Sequence, residues 1–195
     1  MTRTARLLWL PLLLALALPG CGYNTLVAKD EAVKRAWADV EATYQRRADL
    51  IPNLVETVKG YAAHERETLE AVTRARAQVG QVRLSPEDLA DPAKVAAFQR
   101  AQRQVGAALS RLLVVAERYP QLKADANFRD LQHQLEGTEN RINVARQRYN
   151  RAVAEYNTAI RSFPYNLTNK LFLHLKPKEG FQAEAGAATA PKVHF

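Results

Sequence analysis

Cysteine is nearly absent. One, Cys21, stands among 195 residues, so neither an intrachain disulfide nor a multi-thiolate metal centre can form. Glycine and proline number eight and nine while 47% of residues are hydrophobic, which excludes collagen-like and disordered chains. No segment alternates polar and apolar residues over a strand length, so no sheet is expected. Long apolar runs are missing too: Leu7 to Leu18, as a helix, reaches about 18 Å against a hydrocarbon core of roughly 30 Å. Chemical motifs are equally scarce. His64-Glu65 is followed at position 68 by Thr rather than His, and no glycine-rich phosphate loop or nucleophile elbow occurs. No catalytic or metal-ligating residue is assigned, and no cofactor is expected. A cryptic zinc site, the basis of an alternative reading as a metal-dependent envelope hydrolase, would need His64, His133 and a carboxylate to converge from separate helices.

What is present begins with a secretory signal over residues 1–20. Arg3 and Arg6 form its charged start, Leu7 to Leu18 its apolar stretch, and Pro11 argues further against a permanent span. Leu18-Pro19-Gly20-Cys21 resembles a lipobox, with Pro19 departing from the usual small residue. Cys21 is the expected lipidation site, with palmitate among its acyl chains, and residues 21–28 are expected to be anchor and tether. Several chains on one cysteine would anchor stably, whereas one is marginal. Gly22 rather than Asp follows the cysteine, which by its resemblance to lipoprotein sorting signals implies the outer membrane where the cell has one, with the body in the periplasm.

Heptad patterning dominates the rest. Trp37, Tyr44, Ile51, Val58, Glu65, Val72 and Val79 recur at seven residues, with a companion row Leu26, Val33, Val40, Arg47, Leu54 and Tyr61. Neither row slips at Pro52, so one helix over 29–78, bent there, is expected. The alternative is a break, with Asp49 capping a second helix. Asp91-Pro92 opens a further helix whose rows are Val95, Gln102, Leu109, Ala116 and Phe98, Val105, Leu112, Tyr119, stopping at Pro120. After Asn127 come Phe128, Leu135, Ile142, Tyr149, Tyr156, Phe163 beside Leu131, Thr138, Ala145, Ala152, Ala159, ending at Pro164. The expected fold is all-α: an elongated antiparallel bundle of three long helices over 29–164. An apolar segment, 165–181, should cover one end of the bundle or touch the membrane, and 182–195 should be a disordered tail.

Net charge is +8, or +6 once the signal is removed. Residues 28–80 balance nine basic with nine acidic groups, but 99–151 carry ten basic and five acidic. Arg100, Arg103 and Arg111 head this basic face, which could meet anionic lipid or an acidic partner. Nucleic acid is not expected, because the chain is exported and the face lacks interleaved aromatics. Four polar residues occupy core rows: Arg47, Glu65, Gln102 and Thr138. A buried Arg47 needs a carboxylate, and Glu136 or Glu139 are the candidates. A partner-binding patch built from Arg46, Arg47, Asn53 and Glu139, with Asp49 beside it, is the functional alternative to an internal register-setting pair.

Tyr44-Gln45-Arg46-Arg47-Ala48-Asp49-Leu50-Ile51-Pro52-Asn53-Leu54-Val55, Val58-Lys59-Gly60-Tyr61, Leu135-Glu136-Gly137-Thr138-Glu139-Asn140-Arg141-Ile142, Tyr149-Asn150, Tyr156-Asn157 and Phe163-Pro164 resemble a LemA family protein. The resemblance runs from about Tyr23 to Phe181. It implies an antiparallel helical core tethered to a bacterial membrane and no established enzymatic activity. It also implies work in envelope or membrane organisation, since some members are encoded near TPM-domain membrane proteins and one branch serves magnetosome membranes. The expected partners are therefore membrane lipid through Cys21 and an envelope or membrane protein, with a TPM-domain protein as one candidate.

Overall fold

The computed structural model describes residues 3–182, with side chains from Gly22 onward. The side chain of Cys21 and the tail from residue 183, both subjects of expectations above, lie outside the described residues. Helix α1 spans Arg3–Tyr61, α2 Arg66–Gln81, α3 Pro92–Ala116, α4 Pro120–Ala124, α5 Ala126–Ala159 and α6 Tyr165–Thr168. A 3-10 turn, Asp88–Ala90, precedes α3, and a π-helical turn, Asn169–Leu173, follows α6. The all-α class is as expected.

The single helix expected over 29–78 is instead a hairpin of two. Ala62 is buried in the link, its amide donating to Val58 O at 2.8 Å, and Glu65 N closes on Ala62 O at 3.0 Å. The core row leaves the interior at Tyr61 and at Glu65, which are the positions where the chain turns. Seven-residue phase cannot reveal this turn, because Ile51 and Val58 before it and Val72 after it all face the same core. The expected three long helices thus become four, with α2 folded back so that Arg76 lies beside Ala48.

Helix α1 runs through Pro52 unbroken, so the alternative with Asp49 as a cap does not form. Proline has no N–H for the carbonyl four residues earlier. That carbonyl, Ala48 O, accepts instead from Arg76 Nε of α2 at 3.0 Å. The helix starts nearer the sequence expectations: the Asp91 side chain accepts from Ala93 N and Lys94 N with Pro92 in the first turn, and Asp125 accepts from Phe128 N at 2.8 Å.

Helix α5 lies antiparallel along α1. Contacts step evenly down the pair, from Tyr61 with Asp125 through Arg47 with Glu139 and Trp37 with Tyr149 to Lys29 with Glu155. Helix α3 runs parallel to α1, with Phe98 on Trp37 and Tyr119 reaching Glu65. From Gly22 to Tyr61 α1 is about 60 Å long, so the body is elongated. Residues 22–28, expected as tether, are already helix, and Leu26 is fully buried. Helix α6 packs over this end so closely that a Cβ on Gly22 would lie 2.7 Å from Thr168 Oγ1. Of the apolar segment expected over 165–181, α6 is the part that packs at this end of the bundle. Phe163, expected in the core row, is 78% exposed because α5 ends at Ala159.

Beyond the π-helical turn the chain doubles back along α5 as a strap, residues 174–182. Phe181 inserts among Trp37, Tyr44 and Tyr149. Tyr149 and Tyr156 hydroxyls donate to Glu179 O and Lys176 O at 2.8 and 2.9 Å. Lys178, 9% exposed, pairs with Asp30 at 2.6 Å and lies over the Tyr156 ring.

Candidate functional site

Two hydrophobic clusters divide the interior. One runs from Leu26 to Tyr44 with Tyr149 and Tyr156; the other holds Ile51 to Val58 with α2, Leu109 and Phe128. Arg47 lies at the boundary, in a row that packing would give to Leu, and is 4% exposed. One guanidinium nitrogen donates to Glu139 Oε1 at 2.8 Å, the other to Gln102 Oε1 at 2.7 Å and Gln102 O at 3.1 Å. The guanidinium also lies 5.0 Å from the Tyr44 ring centroid. Three of the four polar residues in core rows thereby find partners. Arg47 and Gln102 satisfy one another, and Glu65 accepts from Arg118 at 3.1 Å and Tyr119 at 3.2 Å. The fourth, Thr138, returns its hydroxyl to Gln134 O within its own helix, at 2.7 Å.

Arg47 and Gln102 form the floor of a groove of about 1430 Å³ between α3 and α5. Gln99, Gly106 and Ser110 lie on the α3 wall, Glu139, Asn143 and Arg146 on the α5 wall, and Phe181 and Gln182 of the strap at one end. Of the residues singled out from sequence, the structure brings Arg47 and Glu139 together and sets Glu136 and Arg103 on the rim. Glu136 does not reach Arg47; it accepts from Gln132 Nε2 at 3.1 Å. Arg46, Asp49 and Asn53 are exposed on α1 and do not line the groove; Asp49 accepts from Gln45 at 2.7 Å. Arg100 and Arg111 are exposed on α3 and lie outside the groove. Among the described residues, no three His, Cys, Asp or Glu side chains are grouped to hold a metal ion, so His64 and His133 do not form the centre a hydrolase would need.

Sequence reasoning missed the strap and its anchors. Asp30 is the clearest case. Burial alone would raise its carboxyl, but hydrogen bonds from Lys178 and Lys34 outweigh that and hold it below the ordinary carboxylate range. Tyr156 is pushed up to about 12 by burial and by the Asp30 charge. Asn150 and Asn157, seven residues apart, also bind the strap; their spacing was visible in the sequence as a polar row beside the aromatic one.

Residues 36–195 match the family model described as LemA family. The chain belongs to the LemA family. The matched region contains the polar layer, both groove walls and the strap, while the apolar start and Cys21 precede it. Magnetosome protein MamQ 2 of Paramagnetospirillum magneticum is 28% identical over 160 residues, covering 74% of this chain and 59% of that protein. Magnetosome protein MamQ of Magnetospirillum gryphiswaldense is 27% identical over 164 residues, with the same shares. Protein LemA of Metamycoplasma hominis is 23% identical over 152 residues, covering 77% and 65%. The LemA-family chain thus spans about three-fifths of the length of the curated relatives it matches. None of these names denotes an enzymatic activity. Among the described residues no helix is long and apolar enough to cross a membrane.

Proposed function

We propose that this LemA-family chain is a membrane-attached scaffold of the bacterial envelope, which binds a protein partner and catalyses no reaction. One observation carries the reading. Leu167, Leu171 and Phe172 are 50%, 65% and 59% exposed, in the segment that packs against Gly22, the residue after Cys21. Three large apolar side chains left in water within six residues mark an interaction surface. Because Leu7–Leu18 and the lipidation site lie immediately before that end, the surface belongs against the bilayer interface, with Lys170 and Lys176 free to reach the headgroups. Lipidation of Cys21, including palmitate, then fixes the rod upright, with the outer membrane as the site and the periplasm as the compartment. The partner, for which a TPM-domain protein is the first candidate, meets Arg100, Arg103 and Arg111.

Vesicle flotation tests the attachment. The Cys21→Ser chain should lose stable binding yet retain weak binding, and Leu171→Asp with Phe172→Asp should abolish the remainder. Equal flotation of all three would remove the apolar end from the reading. No observation favours the hydrolase alternative.

A further inference from the structure

Three lysines near the end of the bundle that carries Gly22 are each paired with an acid. Lys29 meets Glu155 at 2.6 Å, Lys34 meets Asp30 at 2.9 Å and Glu31 at 2.7 Å, and Lys178 meets Asp30 at 2.6 Å. The segments that form the end differ. Residues 22–28 and 161–177 contain Arg161, Lys170 and Lys176 and no Asp or Glu. All three cations are exposed, and none makes an ion pair among the described residues. Arg161 directly follows the last turn of α5, and Lys176 O accepts from the hydroxyl of Tyr156 in that same turn, so both stay at this end.

The loop between them is shaped before any ligand arrives. Asn169 holds Leu175 through a two-way amide pair, donating to Leu175 O at 3.1 Å and accepting from Leu175 N at 2.7 Å. His174, in the left-handed region at φ 51°, closes the turn by donating its amide to Asn169 O at 2.8 Å. Leu173 and Leu175 pack against the core cluster around Trp37, which leaves Lys170, Leu171 and Phe172 exposed on the outside of the turn. A loop fixed in this way loses little freedom on binding.

We propose that this end is a recognition site for acidic phospholipid, in which Arg161, Lys170 and Lys176 take the headgroup phosphates while Leu167, Leu171 and Phe172 enter the acyl boundary. The inference rests on the membrane attachment proposed above and adds to it the class of lipid. Cations set beside large apolar side chains decide the source of the anion. A soluble phosphate would leave Leu171 and Phe172 in water, whereas a bilayer takes up both kinds of side chain at once. Zwitterionic lipid supplies phosphate without a net negative surface; an acidic leaflet attracts each nearby lysine or arginine by about fivefold in affinity.

Photo-crosslinking of the full chain tests this in vesicles holding equal amounts of photoactivatable phosphatidylglycerol and phosphatidylcholine. Residues 161–177 should carry at least about fivefold more of the acidic lipid. Arg161→Gln with Lys170→Gln and Lys176→Gln, all at exposed positions, should bring that ratio to about one while labelling persists, and about 0.5 M sodium chloride should do the same. Equal labelling by the two lipids in the wild-type chain, or a preference that survives the triple substitution, overturns this proposal and leaves the attachment standing. No labelling of 161–177 overturns both. A preference that inorganic phosphate abolishes at constant ionic strength gives the cations to a soluble anion and overturns the lipid assignment equally.

Discussion

Arg47 holds a guanidinium whose side chain is 5% exposed against a carboxylate, Glu139, that is 42% exposed. Removing one partner of a fully buried pair costs about 3–5 kcal/mol, because the other charge is left without compensation. Water reaches Glu139, so Glu139→Ala should cost less, about 1–2 kcal/mol by urea denaturation. Replacing the charge along with its neighbour, as Arg47→Met with Gln102→Leu, should come within about 1 kcal/mol of wild type, since well-packed apolar groups often substitute for such pairs without loss. That double variant separates the two roles considered for Arg47: if partner crosslinking in cells survives it, the layer sets helix register; if crosslinking is lost while the fold is kept, the layer binds. Asp30 behaves differently. Its folded value is depressed by Lys178 and Lys34, so on acidification the unfolded chain takes up the proton first. Its contribution is complete above about pH 4 and is lost as pH falls through the folded value. Near-ultraviolet circular dichroism of the aromatic cluster around Phe181 should show an acid transition below pH 4 that Asp30→Asn lacks.

At the scale of elements, Pro52 and Arg76 form a pair that neither helix explains alone. Pro52 leaves Ala48 O open, and α2 supplies the missing donor. Pro52→Ala should restore the intrahelical bond and make Arg76 redundant there. In a double-mutant cycle, Arg76→Ala should therefore cost less in the Pro52→Ala background, with a coupling of about 0.5–1.5 kcal/mol. Equal costs in both backgrounds would mean that the guanidinium bond contributes nothing. The same region shows what sequence could and could not reveal. The rows placed Trp37, Tyr44, Ile51, Leu112, Phe128 and Tyr149 in the core because burial follows helical phase. The turn at 62–65 was invisible because phase is preserved across it, and its marks, Gly60 and a charged Glu65 in the row, are weak beside a proline. The strap was illegible for a further reason: its hydrogen bonds come from Asn and Tyr side chains of α5, and a chain that borrows its partners from another element carries no periodicity of its own.

For the molecule as a whole, two kinds of attachment follow from the proposed role, and salt should separate them. The acyl chains and the exposed Leu167, Leu171 and Phe172 act through apolar burial, at about 0.8 kcal/mol per methylene for the lipid, and ionic strength hardly alters that. Arg100, Arg103 and Arg111 are solvent-exposed, and their pull on an acidic partner is screened beyond about 10 Å at 0.1 M salt. Raising sodium chloride from about 0.05 to 0.5 M should therefore leave flotation of the acylated chain unchanged while reducing partner capture several-fold. Reversing the three arginines to glutamate at low salt should reproduce the high-salt result, because both treatments remove the same attraction. The reversals spare the fold, since all three side chains are exposed on α3, Arg103 at the rim of the groove, and none belongs to the packed rows of Phe98, Val105 and Leu112. Capture that ignores both salt and charge reversal would move the partner's site off the basic face of α3, and the groove over Arg47 would then be the surface to test.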